Sequence, residues 1–537
     1  MSEASAPTAS SAAAVPDAAT INLSLVSHTN VGKTTLLRTL VRRDVGDVAD
    51  RAHVTERAEG HLLLGTAQGD ALRLWDTPGF GDSARLLKRL RASDNPIGWL
   101  MTQVWDRFTD RPFFSSQQAI RHVRDESDVV LYLVNAAEDP RGAGYVNVEM
   151  QILGWIAKPV LVLLNQMGAP RARETEAAEE SMWRQHVTAH AGVHGVIGLD
   201  AFARCWVQED ALLGAVGEVL PASKQPAFGR LRAAWRAQNL ALFDAAMAAL
   251  ALQFATVACD RETVGVPSFR EKTGRWLSSL LAERGVSDPD AERAMNALAN
   301  RLDSTVRVTT DRLITLHGLS GRAGETILAR VAGQFDIARP ADVGKSGIIG
   351  GAVSGALGGL AADLAAGGLT FGAGALIGGL VGALGASGAA TAYNLARGEV
   401  DGKVGWSLDF LVQRPGAALL RYLAVAHYGR GRGEWSDGEY PAHWQQVVDD
   451  VSTRHYDDIV QVVRAAEQGA DSTNIAARAP PIITAMARET LVRLYPAAEQ
   501  IFQNADTAGQ SETPPFTERV SADSGAAAQG SRPAKLD

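Results

Sequence analysis

One short segment of the chain carries the residue types that bind a polyphosphate. Residues 27–35 read Ser-His-Thr-Asn-Val-Gly-Lys-Thr-Thr and directly follow a mostly apolar run, 21–26, with the composition of a strand. In a phosphate-binding loop, backbone N–H groups and the N-terminus of the next helix hold the phosphates, a lysine reaches the β- and γ-phosphates, and a hydroxyl binds Mg²⁺. Lys33 and Thr34 stand at the positions for these last two roles.

The first position of this loop, Ser27, departs from the glycine that the pattern requires. Because main-chain N–H groups do most of the phosphate binding, the size of this first side chain matters more than its identity, and serine is small. We therefore expect a tolerated substitution, with Gly32 preserving the close approach of the backbone. The alternative is an ordinary strand-turn-helix corner that binds nothing.

A second segment supports the nucleotide interpretation. Residues 72–82 read Leu-Arg-Leu-Trp-Asp-Thr-Pro-Gly-Phe-Gly-Asp. Asp76 ends an apolar strand, where its carboxylate can hold Mg²⁺ through water, and the Gly79 N–H can meet a γ-phosphate. Phe80 stands where a glutamine could orient the attacking water. Since a phenyl ring cannot do this by hydrogen bonding, we expect slow intrinsic hydrolysis.

The elements that must position these residues change type along the chain. From residue 21 to about residue 220, strand-like runs alternate with helical stretches, which predicts a parallel sheet with crossover helices. The clearest strands are 21–26, 72–75, 129–134 and 160–164. After a linker-like segment, 221–226, helical periodicity takes over and convincing strands are absent. The predicted helices are 231–259, 276–283, 291–316 and 323–335, and further helices lie between 404 and 502.

The expected fold is therefore an α/β P-loop NTPase domain, with a mostly parallel sheet and flanking helices, followed by a mainly α-helical domain with a glycine-rich hydrophobic hairpin. Both ends of the chain are rich in small and polar residues, which predicts disordered tails. The division is a tail (1–19), the nucleotide-binding domain (20–220), a helical domain (225–340), the hairpin (341–400), the helical domain continued (401–502) and a second tail (503–537).

With these two motifs, the chain resembles a translation-factor-class GTPase of the Era and TrmE type fused to a bacterial C-terminal domain of unknown function. The resemblance in defined motifs covers residues 20–205. It implies a magnesium-dependent GTP switch, in which Thr55 within His-Val-Thr-Glu-Arg-Ala-Glu-Gly is the mobile switch threonine. A plain loop residue is the alternative for Thr55. The resemblance thus makes Lys33 and Thr55 the catalytic residues, and Thr34, Thr55 and Asp76 the Mg²⁺ ligands.

The base-reading element of that family is Asn-Lys-x-Asp, and this chain has Asn165-Gln166-Met167-Gly168. Glycine has no side chain to accept hydrogen bonds from the guanine edge, each worth ~0.5–1.5 kcal/mol. Preference for guanine should weaken while phosphate affinity survives. The resemblance favours GTP; ATP or a relaxed purine site is the alternative. With a weaker base-side match at 199–205, the predicted nucleotide-binding residues are Asn30, Val31, Gly32, Lys33, Thr34, Thr35, Gly79, Asn165, Gln166 and Ala201.

Residues 344–396 form a glycine-rich apolar segment. Glycine recurs at every fourth residue at 347, 351, 355 and 359, and again at 374, 378 and 382, which places a smooth stripe on each predicted helix. Each helical glycine costs ~1 kcal/mol relative to alanine, so close packing against another helix must compensate. Insertion into a membrane as a hairpin and burial inside a soluble domain both remain open.

Composition limits the class of protein. The formal net charge of −8 disfavours a protein that coats nucleic acid, although a local basic patch keeps this alternative open. The cysteines, Cys205 and Cys259, are too few for a disulfide framework and fit a reducing compartment. The first twenty residues lack Lys and Arg and resemble no targeting signal. We expect a cytoplasmic protein, peripheral or integral at the inner membrane through residues 344–396.

Three hypotheses follow from the sequence. The first is a GTP/GDP-binding switch with Mg²⁺ as cofactor, whose helical domain contacts inner-membrane lipid or a membrane protein. Its hydrolysis would need the metal, a loop group or an activating protein partner. The second is a soluble ribosome- or RNA-associated GTPase with the hairpin as internal packing. The third is a nucleotide-binding interaction module without useful hydrolysis, suggested by Gly168 and Phe80.

Overall fold

The computed structural model of the chain describes residues 18–42, 58–102, 111–167, 171, 173–199, 201, 205–264, 289–319, 402–428 and 442–509. Several predictions made from sequence therefore fall outside the described residues. They concern Thr55, Gly168, the glycine-rich segment 344–396, the helices at 276–283 and 323–335, and most of both tails.

The first domain is built on a six-stranded sheet with the strand order β2-β3-β1-β4-β5-β6. The strands are β1 (Thr20–Ser27), β2 (Glu59–Gly65), β3 (Ala71–Asp76), β4 (Val129–Asn135), β5 (Val160–Asn165) and β6 (Val193–Gly198). Neighbouring strands pair in parallel except β2 and β3, which are antiparallel. This confirms the mostly parallel α/β fold class.

Helices cover both faces of the sheet. They are α1 (Lys33–Val41), α2 (Ser83–Leu90), α3 (Pro96–Thr102), α4 (Arg111–Glu126), α5 (Gly144–Gly154), α6 (Arg173–Val187) and α7 (Trp206–Val219). Along β4, Leu131 and Leu133 join the hydrophobic cluster on one face, while Val130 and Tyr132 join the cluster on the other. Because side chains alternate between the faces of a strand, a strand buried on both sides reads as the continuous apolar run seen in the sequence.

The second domain is mainly helical, as predicted. Its described helices are α8 (Gln225–Cys259), α9 (Pro289–Leu316), α10 (Leu408–Ala426), α11 (Ala442–Arg454), α12 (Tyr456–Glu467), α13 (Ser472–Leu494) and α14 (Ala498–Gly509). The 35-residue α8 is the central helix and packs against α7, α9, α10, α12 and α13.

Three boundaries differ from the sequence expectation. The central helix begins at Gln225 rather than at Leu231, because Pro226 in the first turn of a helix starts it rather than breaking it. The last helix continues beyond Phe502 to Gly509. A short antiparallel pair, β7 (Arg261–Val264) with β8 (Gly402–Gly405), also lies in the region where no strand was expected. Its segments are too short and too distant in sequence to show a period.

The parts of the chain before and after the predicted boundary near residue 225 pack directly against each other. A single hydrophobic cluster includes Ile21 of β1 and Phe502 of α14. At its centre, Trp206 at the start of α7 contacts the rings of Trp235, Phe243 and Phe502. The helical domain is therefore packed directly on the first domain.

Helix α8 is also, among the described residues, the one helix long and apolar enough to cross a membrane. Half of its most apolar stretch is buried inside the protein. Since the core helix of a globular domain has the same length and composition, we assign this helix to the core of the second domain.

Candidate nucleotide-binding site

The loop between β1 and α1 has the backbone conformation that a phosphate-binding loop needs. Asn30 and Gly32 have positive φ angles of 66° and 89°. Gly32 immediately precedes α1, and a Cβ atom added there would lie 2.8 Å from the side-chain nitrogen of Asn165. Glycine is therefore required at this position both by conformation and by the close approach of Asn165.

Lys33 lies inside this loop rather than in solvent. Only 8 % of the residue is exposed, and its Nζ atom donates a hydrogen bond to Ser27 Oγ at 3.0 Å. Burial lowers the pKa of the Lys33 ammonium, and the nearby carboxylates of Asp76 and Glu149 oppose that shift. A cation held in a partly dehydrated loop is suited to bind a polyphosphate.

Thr34 and Asp76 meet at the end of strands β1 and β3. The Thr34 hydroxyl donates a hydrogen bond of 2.6 Å to Asp76 Oδ2. A hydroxyl and a carboxylate are the oxygen donors that Mg²⁺ prefers, so these two predicted metal ligands fit the ion. Thr35, the next predicted residue, is 8 % exposed in the first turn of α1.

The segment after β3 is fixed against the loop. The Phe80 N–H donates to the carbonyl of Ser27 at 2.9 Å, and the Thr77 hydroxyl donates to the carbonyl of Leu25 at 2.6 Å. A Cβ atom added to Gly79 would lie 3.1 Å from Lys33 Nζ. The backbone of Gly79 is thus beside the lysine, where the sequence motif predicts a γ-phosphate contact.

Phe80 itself points away from this corner. Its side chain is fully buried in the hydrophobic cluster that contains Leu86 of α2 and Phe113 of α4. Helices α2 and α4 belong to the long insertion between Gly79 and β4. An insertion of this length directly after Gly79 is suited either to relay the nucleotide state to a partner or to pack on the first domain, and its described helices pack on the domain.

Asn165 connects the loop to the base side of the site. Its side-chain amide donates to the carbonyl of Val31 at 2.7 Å and accepts from the Ala201 N–H at 2.8 Å. The next residue, Gln166, has a φ of 58°, and its side-chain nitrogen comes within 3.8 Å of the Gly32 Cβ position. These predicted base-side residues therefore lie together with the phosphate-binding loop.

The structure adds a side-chain network that sequence analysis missed. His28 Nδ1 lies 2.7 Å from Glu149 Oε1, and its ring stacks on Tyr145 at 4.6 Å between centroids. Tyr132 donates to the other oxygen of Glu149 at 2.6 Å. The available signal in the sequence was a glutamate, Glu149, between the apolar residues Val148 and Met150, because a carboxylate buried in an apolar stretch needs hydrogen-bond donors.

Comparisons with known proteins agree with this architecture. Residues 22–166 match the family model described as 50S ribosome-binding GTPase, and residues 186–487 match a domain of unknown function, DUF3482. A search of curated proteins gives no match. The first domain and the family match together define a P-loop GTPase domain. The chain belongs to the DUF3482 family, with this GTPase domain at its N-terminal side.

Similar solved structures are low in identity. A crystal structure of Era from Aquifex aeolicus bound to GDP and AlF4⁻ is 16% identical, with a TM-score of 0.28 over 38% of this chain and 57% of that one. Era in complex with MgGDPNP and part of 16S ribosomal RNA gives the same values. Toc33 from Arabidopsis thaliana is 15% identical, with a TM-score of 0.22 over 35% and 72%. The chain thus spans little more than half the length of Era.

Proposed function

We propose that the chain is a GTP-binding protein with slow, magnesium-dependent GTP hydrolysis, and that its nucleotide state acts as a switch on the helical domain. The observation that carries this proposal is the convergence of Lys33, Thr34, Asp76 and Gly79 at one corner of the sheet. Thr34 and Asp76, which share a hydrogen bond, are 42 positions apart in the sequence.

Each residue has a defined part in nucleotide binding. Backbone N–H groups from Asn30 to Thr35 face the phosphates at the N-terminus of α1, where the helix dipole favours negative charge. Lys33 neutralises the β- and γ-phosphates. Thr34 and Asp76 hold Mg²⁺, which when bound neutralises charge on the phosphate oxygens. We propose Thr55 as a further ligand from the switch segment, on the family resemblance alone.

Slow hydrolysis follows from Phe80. The side chain at this position lies in the hydrophobic cluster and offers no hydrogen bond to an attacking water. We therefore propose that efficient turnover needs an activating protein partner. Without useful turnover, the chain would act as a nucleotide-dependent interaction module, which is the alternative from another functional class.

Two contacts support a switch that acts on the helical domain. Arg42, at the end of α1 and before the switch segment, lies with Nη2 2.6 Å from Asn239 Oδ1 of α8. Trp206 follows the base-side loop that contains Ala201 and packs into the aromatic cluster around α8. Both ends of the nucleotide site thus continue into elements that pack on the helical domain.

The site of action is a separate part of the proposal. We propose a cytoplasmic protein that associates with inner-membrane lipid or a membrane protein through residues 344–396, on the glycine pattern of that segment. The alternative is a ribosome- or RNA-associated GTPase, favoured by the family described as 50S ribosome-binding GTPase.

Nucleotide binding is the decisive test. Isothermal calorimetry with GDP, a non-hydrolysable GTP analogue and the corresponding adenine nucleotides, in magnesium buffer, should show guanine nucleotide bound and a weaker than usual discrimination against adenine. Lys33→Ala should weaken binding at least ~100-fold because a partly buried charge contact to phosphate is lost. Lys88→Ala, an exposed lysine on α2, is the matched control and should bind like wild type. Wild-type protein that binds no nucleotide, or unchanged binding by Lys33→Ala, contradicts the proposal.

A further inference from the structure

Ser27, at the first position of the loop, carries a hydroxyl where the pattern has glycine. This hydroxyl makes two hydrogen bonds, one as donor and one as acceptor. Ser27 Oγ donates to the carbonyl of His28 and accepts the 3.0 Å hydrogen bond from Lys33 Nζ. Ser27 is fully buried, so water does not compete for these bonds. The serine is therefore more than a small residue that the loop tolerates.

His28, whose carbonyl accepts the hydrogen bond from Ser27, is itself held in place by side-chain contacts. His28 Nδ1 donates to Glu149, which is fully buried in α5, and the His28 ring stacks on Tyr145. Because a buried carboxylate needs hydrogen-bond donors, Glu149 is held in turn by the Tyr132 hydroxyl on β4. Side chains from β4 and α5 thus fix the backbone against which Ser27 is placed.

We propose that Ser27 is a positioning residue that holds Lys33 in its phosphate-binding conformation before nucleotide arrives, and that the Glu149–His28 pair fixes Ser27. This inference rests on the proposed nucleotide binding. A lysine side chain loses much rotamer freedom when it is fixed, and a contact that fixes it beforehand lowers that cost on binding. An ammonium has three donors, so Lys33 can keep Ser27 while it contacts phosphate.

The test uses two substitutions at Ser27 and one matched control. Ser27→Ala and Ser27→Gly remove the hydroxyl, and the second restores the usual loop residue. Both should weaken GDP and GTP-analogue binding by about 3- to 10-fold, the effect of one hydrogen bond. GMP, which has no β-phosphate, should lose nothing. Ser24→Ala removes an equally buried hydroxyl on the same strand, bonded to His122 at 3.0 Å, and should leave all three affinities unchanged.

The outcomes separate this inference from the proposed function. Wild-type protein without nucleotide binding overturns the proposed function itself. Wild-type binding with equal or tighter binding by Ser27→Gly overturns only the role of Ser27, as does an equal loss for GMP, which indicates general disruption of the loop. Should both Ser27 variants fail to fold by circular dichroism, Glu149→Gln decides: it weakens GDP binding about 2- to 5-fold if the anchor matters, and unchanged affinity overturns the proposal.

Discussion

At the scale of single residues, Phe80 has a backbone that contacts the nucleotide-binding loop and a side chain that points away from it. It directly follows Asp-Thr-Pro-Gly, yet its backbone N–H bonds to the carbonyl of Ser27 while its ring lies in the hydrophobic cluster. The backbone of this residue therefore helps to position the site, while its side chain packs in the hydrophobic core. A polar replacement would leave the site unchanged and damage the core.

Phe80→Gln should consequently destabilise the protein without accelerating hydrolysis. We expect a loss of about 3 kcal/mol in the free energy of unfolding, since apolar contacts are removed and an amide is buried without partners. Urea unfolding and a phosphate-release assay measure the two effects. Phe80→Leu keeps an apolar side chain and should cost about 1 kcal/mol. A tenfold rise in turnover by Phe80→Gln at wild-type stability would contradict this account.

At the scale of elements, α8 is the piece that joins the two domains. Its first half carries a row of basic residues that meet carboxylates of the first domain. Arg230 pairs with Asp70 in the β2–β3 turn, and Asp210 of α7 accepts from both Arg232 and Arg236. Lys224, the residue just before the helix, pairs with Asp128 before β4. The hydrogen bonds from Arg230 lower the pKa of the Asp70 carboxyl to about 2.

Arg230→Ala should destabilise the protein near neutral pH, because the buried Asp70 carboxylate loses the two hydrogen bonds that Arg230 donates to it. The folded pKa of Asp70 lies below its unfolded value of 3.8, so the bond stabilises the fold above that value and its contribution disappears as the pH falls toward 2. The difference between wild type and variant in urea unfolding should therefore narrow from about pH 7 to about pH 3. Arg124→Ala, in an exposed pair with Asp125, is the control and should cost less than ~1 kcal/mol. A constant difference at all pH values would disprove the ion-pair explanation.

At the scale of the whole molecule, described helices on both sides of residues 344–396 share one hydrophobic cluster. The hydrophobic cluster runs from β1 through α7 and α8 to α14, and helices α9 and α10 on either side of the glycine-rich segment belong to it. Removal of that segment should leave this core intact. Under the membrane hypothesis, we therefore expect this segment to be needed for membrane association and not for folding of the described domains.

Deletion of residues 344–396 is therefore expected to abolish membrane association and to preserve folding. Full-length protein should sediment with vesicles of phosphatidylethanolamine and phosphatidylglycerol, because two glycine-rich helices can pack closely in lipid, whereas the deleted form should stay in solution with an unchanged unfolding temperature. Lys33→Ala, which keeps the segment, is the control for nucleotide effects. If the full-length protein stays in solution in the presence of vesicles, the membrane hypothesis is wrong. That result would favour the soluble, ribosome-associated alternative.

The sequence by itself determined the elements and the local motifs of this protein. The strand, loop and helix around Lys33, the Asp76 strand end and the change from α/β to helical periodicity are all encoded within short segments, because backbone hydrogen bonding and burial set their periods locally. It did not reveal the helix start at Gln225 or the β7–β8 pair, whose signals are weak or distant.

Only the tertiary structure decided which distant residues complete the site. Asn165 reaches the Val31 carbonyl across 134 positions, and Glu149 lies under His28 across 121 positions. Such contacts depend on how helices pack on a sheet rather than on any local pattern. For the same reason Ser27, which in sequence is a small substitution for glycine, becomes in the folded chain the neighbour of the lysine on which phosphate binding depends.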